Sequence, residues 1–335
     1  MRIVLFLLTI LSFAFGDTIL KVATYNVENL FDLDRSGYEY PEYFPNTSSN
    51  WNQATYKIKL KNIAKVMSEI DADIIAIEEI ESLQALKDLR FTLKQNGLYY
   101  QYYKIAENKN TTVKVALLSK IPFVYTKEIS VTSSLKYRNI LESKFSINNK
   151  DFYLFVNHWK AKNEAESRRV VSAKALLHRI KQLGYDKNII LTGDFNSDYE
   201  EYIKFSKKRK LNDTNGKTGI NHLLKTIEQN KSAEETKYLK DNFYNTWYDT
   251  QEDERFSYIY RGKKEALDNI IISQSLLNQK DIYYKHNSIR SFKPSYLYKS
   301  KKINRWQTSR QKPSKHKGKG YSDHLPVVAE FVITN

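Results

Sequence analysis

The chain has 335 residues and a formal net charge of +16, with 54 Lys and Arg against 38 Asp and Glu. It contains no cysteine, which excludes a disulfide framework, so a hydrophobic core and any bound metal must stabilise it. A chain of this length buries an adequate core without cross-links. The excess of positive charge favours acidic partners such as nucleic acid, anionic lipid headgroups or cell-surface polymers, and does not choose among them.

The first 16 residues predict a signal peptide. Residues 3–15 are almost wholly apolar, and Ala14-Phe15-Gly16 offers small residues for cleavage before Asp17. We therefore expect an exported mature chain of residues 17–335, periplasmic or secreted. An uncleaved membrane anchor is the alternative, but the apolar run is shorter than the ~20 residues that a spanning helix needs. No later run is long enough to span a membrane, so we expect no stable membrane insertion after cleavage.

The first half of the chain predicts strands that end in polar residues, with helices between them. Residues 18–27 read as a strand that reaches Asn26, and residues 73–80 as a strand that contains Glu78 and Glu79. Helical spacing of apolar residues predicts two helices, and short alternating runs predict three further strands. The helices are residues 56–70 and 82–96, and the strands are residues 99–105, 113–119 and 122–131.

The second half repeats this pattern. Residues 152–158 predict a strand ending in Asn157 and His158, and residues 189–194 predict a buried strand that runs into Gly193-Asp194-Phe195-Asn196. A strand end is rigid, so polar side chains held there are well placed for chemistry. A helix is predicted between these two strands, strand patterns resume afterwards, and Asp268 and the pair Asp323-His324 adjoin the last strands. The helix is residues 163–183, and the later strand patterns cover residues 255–260 and 267–273.

These motifs, in this order, resemble the endonuclease/exonuclease/phosphatase superfamily, the deoxyribonuclease-I-like metal-dependent phosphodiesterases. The resemblance extends from Asn26 to His324, so one catalytic centre would collect residues from both ends of the chain. It therefore implies a single domain over residues 17–335. The fold it implies is an α/β four-layer sandwich, in which two packed mixed β-sheets are flanked by helices.

The resemblance also implies roles for individual residues. It places a metal at Glu79, with Asp323 and Asn26 completing the set. The ion it implies is Mg²⁺ or Mn²⁺, with Ca²⁺ as an alternative and the number of ions open. Eight further residues are implied to act on the substrate. The catalytic set is His158, Asp194, Asp268 and His324, and the phosphate-binding set is Arg138, Asn157, Lys160 and Asn196.

Proton transfer is assigned to the two histidines, because the ordinary pKa of histidine is about 6.5. The resemblance implies that Asp268 orients His324. We expect His324 to activate water and His158 to protonate the leaving oxygen. The reversed assignment stays open, and Asp194 is a rival base.

Residues 285–320 hold twelve Lys or Arg and no Asp or Glu, with four aromatic residues interleaved. Basic side chains neutralise phosphates, and aromatic faces stack on bases. Because the segment lies between Asp268 and Asp323, we expect it to overhang the active cleft and contact the substrate; a solvated loop is the alternative. The aromatic residues are Phe292, Tyr296, Tyr298 and Trp306.

The leading hypothesis is an exported, monomeric nuclease that hydrolyses DNA with low sequence specificity, with RNA as an additional substrate left open. Alternatives within the superfamily are a phospholipid or sphingolipid phosphodiesterase, with residues 295–298 as a membrane wedge, a phosphatase, and a subunit of a genotoxic nuclease. A catalytically inactive nucleic-acid-binding protein is the alternative of another class. A binding protein has no need of a metal carboxylate and two histidines, which argues against it.

Overall fold

The computed structural model describes residues 16–205, 210–226, 241–312 and 314–335. The predicted signal peptide thus lies outside the described residues, apart from Gly16. Across those ranges, no helix combines the length and apolar character needed to cross a membrane.

The described residues contain seventeen strands and four α-helices. The strands are β1 (Thr18–Leu30), β2 (Ile74–Ile80), β3 (Tyr102–Ile105), β4 (Lys114–Ser119), β5 (Tyr125–Ile129), β6 (Ile140–Ile147), β7 (Lys150–His158), β8 (Ile189–Asp194), β9 (Phe243–Asn245), β10 (Tyr258–Tyr260), β11 (Lys263–Glu265), β12 (Asp268–Ser273), β13 (Ile282–Tyr284), β14 (Arg290–Ser291), β15 (Tyr298–Lys299), β16 (Lys302–Ile303) and β17 (Val327–Ile333). The helices are α1 (Gln53–Ile70), α2 (Leu83–Gln95), α3 (Glu166–Leu183) and α4 (Glu201–Phe205).

Two large sheets form the framework. The first has the order β13-β17-β1-β2-β4-β3, with β14 also pairing with β17, and the second has the order β5-β6-β7-β8-β12-β9. Each sheet contains one parallel pair, β1 with β2 and β7 with β8, and the other neighbours are antiparallel. Parallel neighbours end at the same edge of a sheet. Each parallel pair therefore brings two predicted polar residues to one edge of its sheet, Asn26 and Glu79 in the first sheet and His158 and Asp194 in the second.

The sheets pack face to face, with helices on both outer faces. Ile74 and Ala76 of β2 point into the core between the sheets, while Ile75 and Ile77 point into a second core beneath α1 and α2. A third core lies between the second sheet and α3, where Leu176 is buried. Side chains alternate along a strand, so strands covered on both faces need apolar residues at every position. The structure confirms the predicted four-layer α/β sandwich.

The structure departs from the predicted strands at β6 and at β10. Strand β6 was not predicted, although it lies between β5 and β7 in the second sheet and is antiparallel to both. Residues 255–260 contribute only β10, which pairs with β11 in a hairpin outside both large sheets. A strand that carries Glu142 and Lys144 among apolar residues has a mixed pattern, which explains why β6 gives a weak sequence signal.

The basic segment, residues 285–320, is packed against the fold. Trp306 is only 3% exposed and Leu297 only 1%, and Phe292, Tyr296 and Tyr298 pack against the same core. The predicted base-stacking role is therefore wrong for Trp306, because protein atoms already cover its ring. The positive charges of the basic segment are also partly neutralised, because Lys285 and Arg290 pair with Glu330.

Candidate active site

Two β-bulges aim carboxylates at the edge of the first sheet. Glu79 has a φ of 65° and interrupts the pairing of β2 with β4, and Glu28 has a φ of 49° where β1 changes register against β2. Non-glycine residues rarely adopt positive φ, and a bulge redirects a side chain out of strict alternation. As a result, Glu79 lines a cleft of about 870 Å³, whereas the adjacent Glu78 is fully buried.

A tight turn at the end of β8 fixes Asp194 and Asn196. Gly193 has a φ of 125°, and a Cβ at this position would lie 2.0 Å from the backbone oxygen of Asn157, so only glycine fits. Oδ1 of Asp194 accepts a hydrogen bond from the backbone N–H of Asn196 at 2.8 Å. Oδ2 of Asp194 accepts another from the Asn196 side chain at 3.2 Å. The Asp194 carboxylate is therefore held in one orientation.

Four residues from four strands form the centre of the site, three at or near strand ends and Asn26 beside the bulge in β1. The amide of Asn26 donates to Oε1 of Glu79 at 3.2 Å and to Oδ2 of Asp194 at 3.0 Å. Nε2 of His158 lies 3.7 Å from the same Glu79 oxygen and 3.6 Å from the same Asp194 oxygen. The structure thus brings together predicted residues from β1, β2, β7 and β8.

Burial and mutual repulsion set the charges of this centre. Burial raises the pKa of Glu79, and the nearby Asp323 carboxylate raises it further. The pKa of Asp194 is raised to about 7, chiefly by burial. Burial also lowers the pKa of His158 well below its ordinary value, with Arg138 and His324 adding to the effect. His158 is therefore neutral at pH 7 in this environment.

The second histidine has the opposite environment. Nδ1 of His324 lies 2.6 Å from Oδ2 of the fully buried Asp268. Burial by itself lowers the pKa of His324, but the Asp268 carboxylate outweighs it and raises that pKa well above its ordinary value. His324 lines the cleft, so its other ring nitrogen is the one available to a substrate. The predicted pairing of Asp268 with His324 is present.

Arg305 of the basic segment reaches into the same cleft. Its Nη2 lies 3.1 Å from Oδ2 of Asp323, and its Nε donates to Oε1 of Glu28 at 3.0 Å. The fully buried Lys59 donates to the backbone oxygen of Glu28 at 2.6 Å. Burial raises the pKa of Glu28 to about 7, and Asp323 adds to the rise. Among the described residues of the basic segment, Arg305 is the one that lines the cleft.

The donor set at the centre fits a hard divalent cation. The carboxylates of Glu79 and Asp194 and the ring of His158 present ligand atoms within 4.8 Å of one another. In the part of the chain that the structure describes, neither carboxylate has an ion pair with lysine or arginine, so their negative charge is free to be offset by a metal. Oxygen ligands of this kind suit Mg²⁺ or Mn²⁺. The residues that would hold the ion are Glu79 and Asp194.

Two of the predicted metal ligands have different surroundings from those expected. The Asn26 amide donates to Glu79 and Asp194, and its oxygen accepts from the backbone N–H of Glu28 at 3.0 Å. Asn26 therefore supports the two carboxylates instead of facing the cleft. Asp323 lies outside the Glu79 cluster and pairs with Arg305.

The four predicted phosphate-binding residues separate into two groups. Arg138 and Asn196 line the cleft. Asn157 does not, because its side chain is fully buried, donates a hydrogen bond to the backbone oxygen of Phe155 and accepts one from the indole N–H of Trp159. Lys160 pairs with Glu164 at 2.7 Å and does not line the cleft either. The predictions for Asn157 and Lys160 are corrected accordingly.

Sequence reasoning missed several residues of the cleft. Glu28 follows Asn26 by two positions, a spacing that would put both on the same face of a regular strand and that gives no warning of a bulge. The Tyr258 ring is tilted by 38° against the His324 ring, with 4.8 Å between their centres. Tyr258 begins the β10–β11 hairpin, whose residues also line the cleft. The strand pattern of residues 255–260 was the signal available for this hairpin.

Comparison with solved structures supports the same architecture. An endonuclease/exonuclease/phosphatase family protein from Bacteroides thetaiotaomicron matches with a TM-score of 0.57 and 16% identity, covering 96% of this chain and 100% of that one. TDP2 of D. rerio, complexed with single-strand DNA product, matches with a TM-score of 0.57 and 13% identity, covering 94% and 99%. A mannosyl-6-phosphatase from Bacteroides thetaiotaomicron matches with a TM-score of 0.55 and 16% identity, covering 94% and 100%. At these identities the likeness establishes the fold.

No curated protein matches this sequence. A family model described as the Endonuclease/Exonuclease/phosphatase family does match, over residues 21–332. Members of this superfamily are hydrolases of phosphate esters that generally use a divalent metal, in agreement with the Glu79–His158–Asp194 cluster. The chain belongs to the Endonuclease/Exonuclease/phosphatase family.

Proposed function

We propose that this protein is an exported, monomeric, metal-dependent nuclease that hydrolyses phosphodiester bonds of DNA with low sequence specificity. The observation that carries the chemistry is the different placement of two buried histidines in one cleft: Nδ1 of His324 lies 2.6 Å from Asp268, whereas Nε2 of His158 lies 3.6–3.7 Å from Asp194 and Glu79. His158 has a lowered pKa and His324 a raised one. Paired titratable groups whose pKa values are driven apart mark the base and the acid of a reaction.

We expected His324 to activate water and His158 to protonate the leaving oxygen, but this contrast favours the opposite roles. A neutral His158 is suited to accept a proton from the attacking water, and a charged His324 is suited to donate one to the leaving oxygen. Asp268 keeps His324 charged and oriented, and Asn196 and Arg138 line the cleft where the phosphate oxygens would lie. When bound at Glu79 and Asp194, the metal would offset negative charge in the transition state.

Charge favours nucleic acid as the substrate. The chain carries a net charge of +16. The cleft is lined by five lysine or arginine and six aspartate or glutamate side chains, so the charge of the whole chain carries this argument. Similar folds include TDP2 complexed with single-strand DNA product and a mannosyl-6-phosphatase, so the fold by itself does not select diester or monoester. Residues 295–298 do not form the membrane wedge that a lipid phosphodiesterase would need, because Leu297 is buried and the hydroxyl of Tyr296 donates to Glu69.

Supercoiled plasmid tests the proposal directly. The protein comprising residues 17–335 is incubated with plasmid and Mg²⁺, or with plasmid and EDTA, and the products are separated on a gel. Nicking and linearisation in Mg²⁺ but not in EDTA support the proposal, and His158→Ala and His324→Ala should each lose them while remaining folded. Binding in EDTA without cleavage in any divalent ion would instead support an inactive binding protein.

The export component needs a separate test, because it depends on the first 16 residues. The full-length chain with a C-terminal tag is expressed, and the mature N-terminus is determined by mass spectrometry. We expect it to begin at Asp17. A chain that retains Met1 and stays with the cells would contradict export.

A further inference from the structure

The β10–β11 hairpin forms part of the cleft wall. Tyr258 pairs with Glu265, and Tyr260 pairs with Lys263, which leaves Arg261 and Gly262 as a two-residue turn. Their φ values are 49° and 79°, the signs that a type I′ turn requires. Tyr260, Arg261 and Lys263 all line the cleft.

The root of this hairpin is fixed to the catalytic residues. Ser257 Oγ accepts a hydrogen bond from the backbone N–H of Asp268 at 3.0 Å, and Tyr258 forms a β-bridge with His324. Lys162 pairs with Glu265 at 2.8 Å and so ties the far strand to the loop that follows β7. The tip is therefore held at a set distance from the reacting groups.

The tip presents cations that no carboxylate neutralises. Lys162 and Arg305 line the same cleft but are paired with acidic residues. Within the described ranges, Arg261 and Lys263 have no ion pair, and the Arg261 guanidinium lies 5.3 Å from the centre of the 54%-exposed Tyr260 ring. An unpaired cation beside an exposed aromatic face suits a phosphate followed by a sugar or a base.

Strand order puts a second unpaired cation on the other side of the reacting groups. Arg138 precedes β6, and the hairpin precedes β12, whereas Asp194 ends β8, which lies between β6 and β12 in the second sheet. Arg138 likewise has no ion pair among the described residues and lines the cleft. The centre is thus flanked by positive charge on two sides.

Arg261 adopts a backbone conformation that is unfavourable for a residue with a side chain. Arg261 occupies the first central position of a type I′ turn, where Asn-Gly is the favoured pair. A bulky residue in the left-handed region is strained, because its Cβ approaches the following carbonyl oxygen too closely. An arginine at this position, therefore, is better explained by its side chain than by the turn.

We propose that Tyr260, Arg261 and Lys263 bind the nucleic acid strand on one side of the scissile phosphate while Arg138 binds it on the other. The site would then select an internal phosphodiester of a chain over a terminal phosphate or a small diester. This inference rests on the proposed nuclease function and adds the region of the substrate that the hairpin recognises.

The experiment compares a chain substrate with a small one. Arg261→Asn creates the favoured Asn-Gly turn and removes the guanidinium, and Lys263→Gln removes the second charge. Lys181→Gln, on the exposed side of α3, is the matched control. Each variant is assayed on a single-stranded oligonucleotide and on bis(p-nitrophenyl) phosphate, at several salt concentrations. Arg261→Lys tests whether charge alone is sufficient.

We expect Arg261→Asn and Lys263→Gln each to raise KM for the oligonucleotide about tenfold and to leave hydrolysis of the small diester unchanged. The slope of log kcat/KM against log salt should shrink by about 0.7 for each phosphate contact removed. Arg261→Lys should keep most of the activity, and Lys181→Gln all of it.

The outcomes separate the inference from the function on which it rests. Hairpin variants that cleave the oligonucleotide like the unmodified protein would overturn the inference and leave the nuclease function standing. Equal losses on both substrates would also overturn it, because they would indicate damage to the catalytic centre. An unmodified protein that hydrolyses neither substrate in Mg²⁺ or Mn²⁺ would refute the function and the inference together.

Discussion

Nδ1 of His324 lies 2.6 Å from Oδ2 of Asp268, although the two residues are 56 positions apart in the chain. The contact requires Nδ1 to carry the proton, since a carboxylate only accepts. This leaves Nε2 of His324 as the ring nitrogen that meets the substrate. The carboxylate also keeps the imidazole charged in a buried environment, so Asp268 acts on the reaction through His324.

Asp268→Asn should therefore lower kcat by about 10²–10⁴-fold, the usual contribution of one acid–base group, with a smaller effect on KM. Loss of the carboxylate lowers the raised pKa of His324. If the charged form of His324 is required, activity falls at high pH, and in the variant this alkaline limb should move to lower pH. A pH profile of kcat measures the shift. An unchanged profile together with a lower kcat would point to a structural role for Asp268.

The adjacent residues Glu78 and Glu79 offer a matched test of the metal site. Glu79→Gln should raise the Mg²⁺ concentration needed for half-maximal activity at least tenfold, and calorimetry should show weaker Mn²⁺ binding. Glu78 is fully buried, accepts a hydrogen bond from Thr24 at 2.8 Å, and has its pKa raised by burial and by Asp268. Because a neutral acid resembles an amide, Glu78→Gln should leave metal dependence unchanged. Equal effects in the two variants would remove Glu79 from the metal site.

The residues that could be predicted from the sequence are those that follow a strong strand pattern. Asp194 and His158 end the parallel strands β8 and β7, and Asp268 faces Asp194 across the β8–β12 pair. Once the strands are recognised, sheet geometry brings their ends together. The local pattern predicted the strands and the polar residues that follow them, whereas the order of the strands in the sheets and the pairing of Asp268 with His324 came from the resemblance to the family.

The rest of the site depends on features that local sequence does not encode. The bulges at Glu28 and Glu79 need a positive φ that neither residue favours, and the surrounding sheet imposes it. Arg305 reaches Glu28 across 277 positions of sequence. Trp306 lies in a lysine-rich segment typical of a solvated surface. Its burial depends on distant packing partners, and composition does not reveal them.

Residue 193, in the motif that ends β8, must be glycine for a steric reason. A Cβ there would lie 2.0 Å from a backbone oxygen, which cannot move without breaking the β7–β8 pairing. Gly193→Ala should destabilise the fold by about 4 kcal/mol or more. Gly216 is the control, because its φ of 80° is similar in sign but no atom lies within 4 Å of its Cβ position. Gly216→Ala should cost about 1–2 kcal/mol in urea unfolding; similar losses at both sites would contradict the steric argument.

Substitutions of Trp306 and Tyr260 distinguish an aromatic residue that packs in the core from one that is exposed to a substrate. Trp306 is 3% exposed and packs edge-on against Trp51, whereas Tyr260 is 54% exposed. Trp306→Ala should lower the free energy of unfolding by about 3–5 kcal/mol. Tyr260→Ala should change it by less than about 0.5 kcal/mol. Denaturant unfolding of the two variants distinguishes them, and a stable Trp306→Ala protein would refute the packing role.

The ring of His316 links the basic segment to the rest of the fold in one tautomer. The indole N–H of Trp306 donates to Nδ1 of His316 at 2.8 Å, so that nitrogen must be unprotonated. The other ring nitrogen then donates to the backbone oxygen of Glu42 at 2.9 Å. Protonation of Nδ1 would set two N–H groups against each other. This contact agrees with the lowered pKa of His316, about 4, for which burial is the main cause.

A pKa lowered on folding makes stability depend on pH in a defined direction. Between pH 6.5 and 4 the unfolded chain binds a proton at His316 that the folded chain excludes, so this residue's contribution to stability is lost as pH falls through that window. His316→Gln keeps one donor and one acceptor but does not titrate. Urea unfolding from pH 7 to 4.5 should therefore show a shallower loss of stability in the variant, even where its stability at pH 7 is lower. Parallel pH dependence in the two proteins would mean that His316 is already protonated in the folded chain.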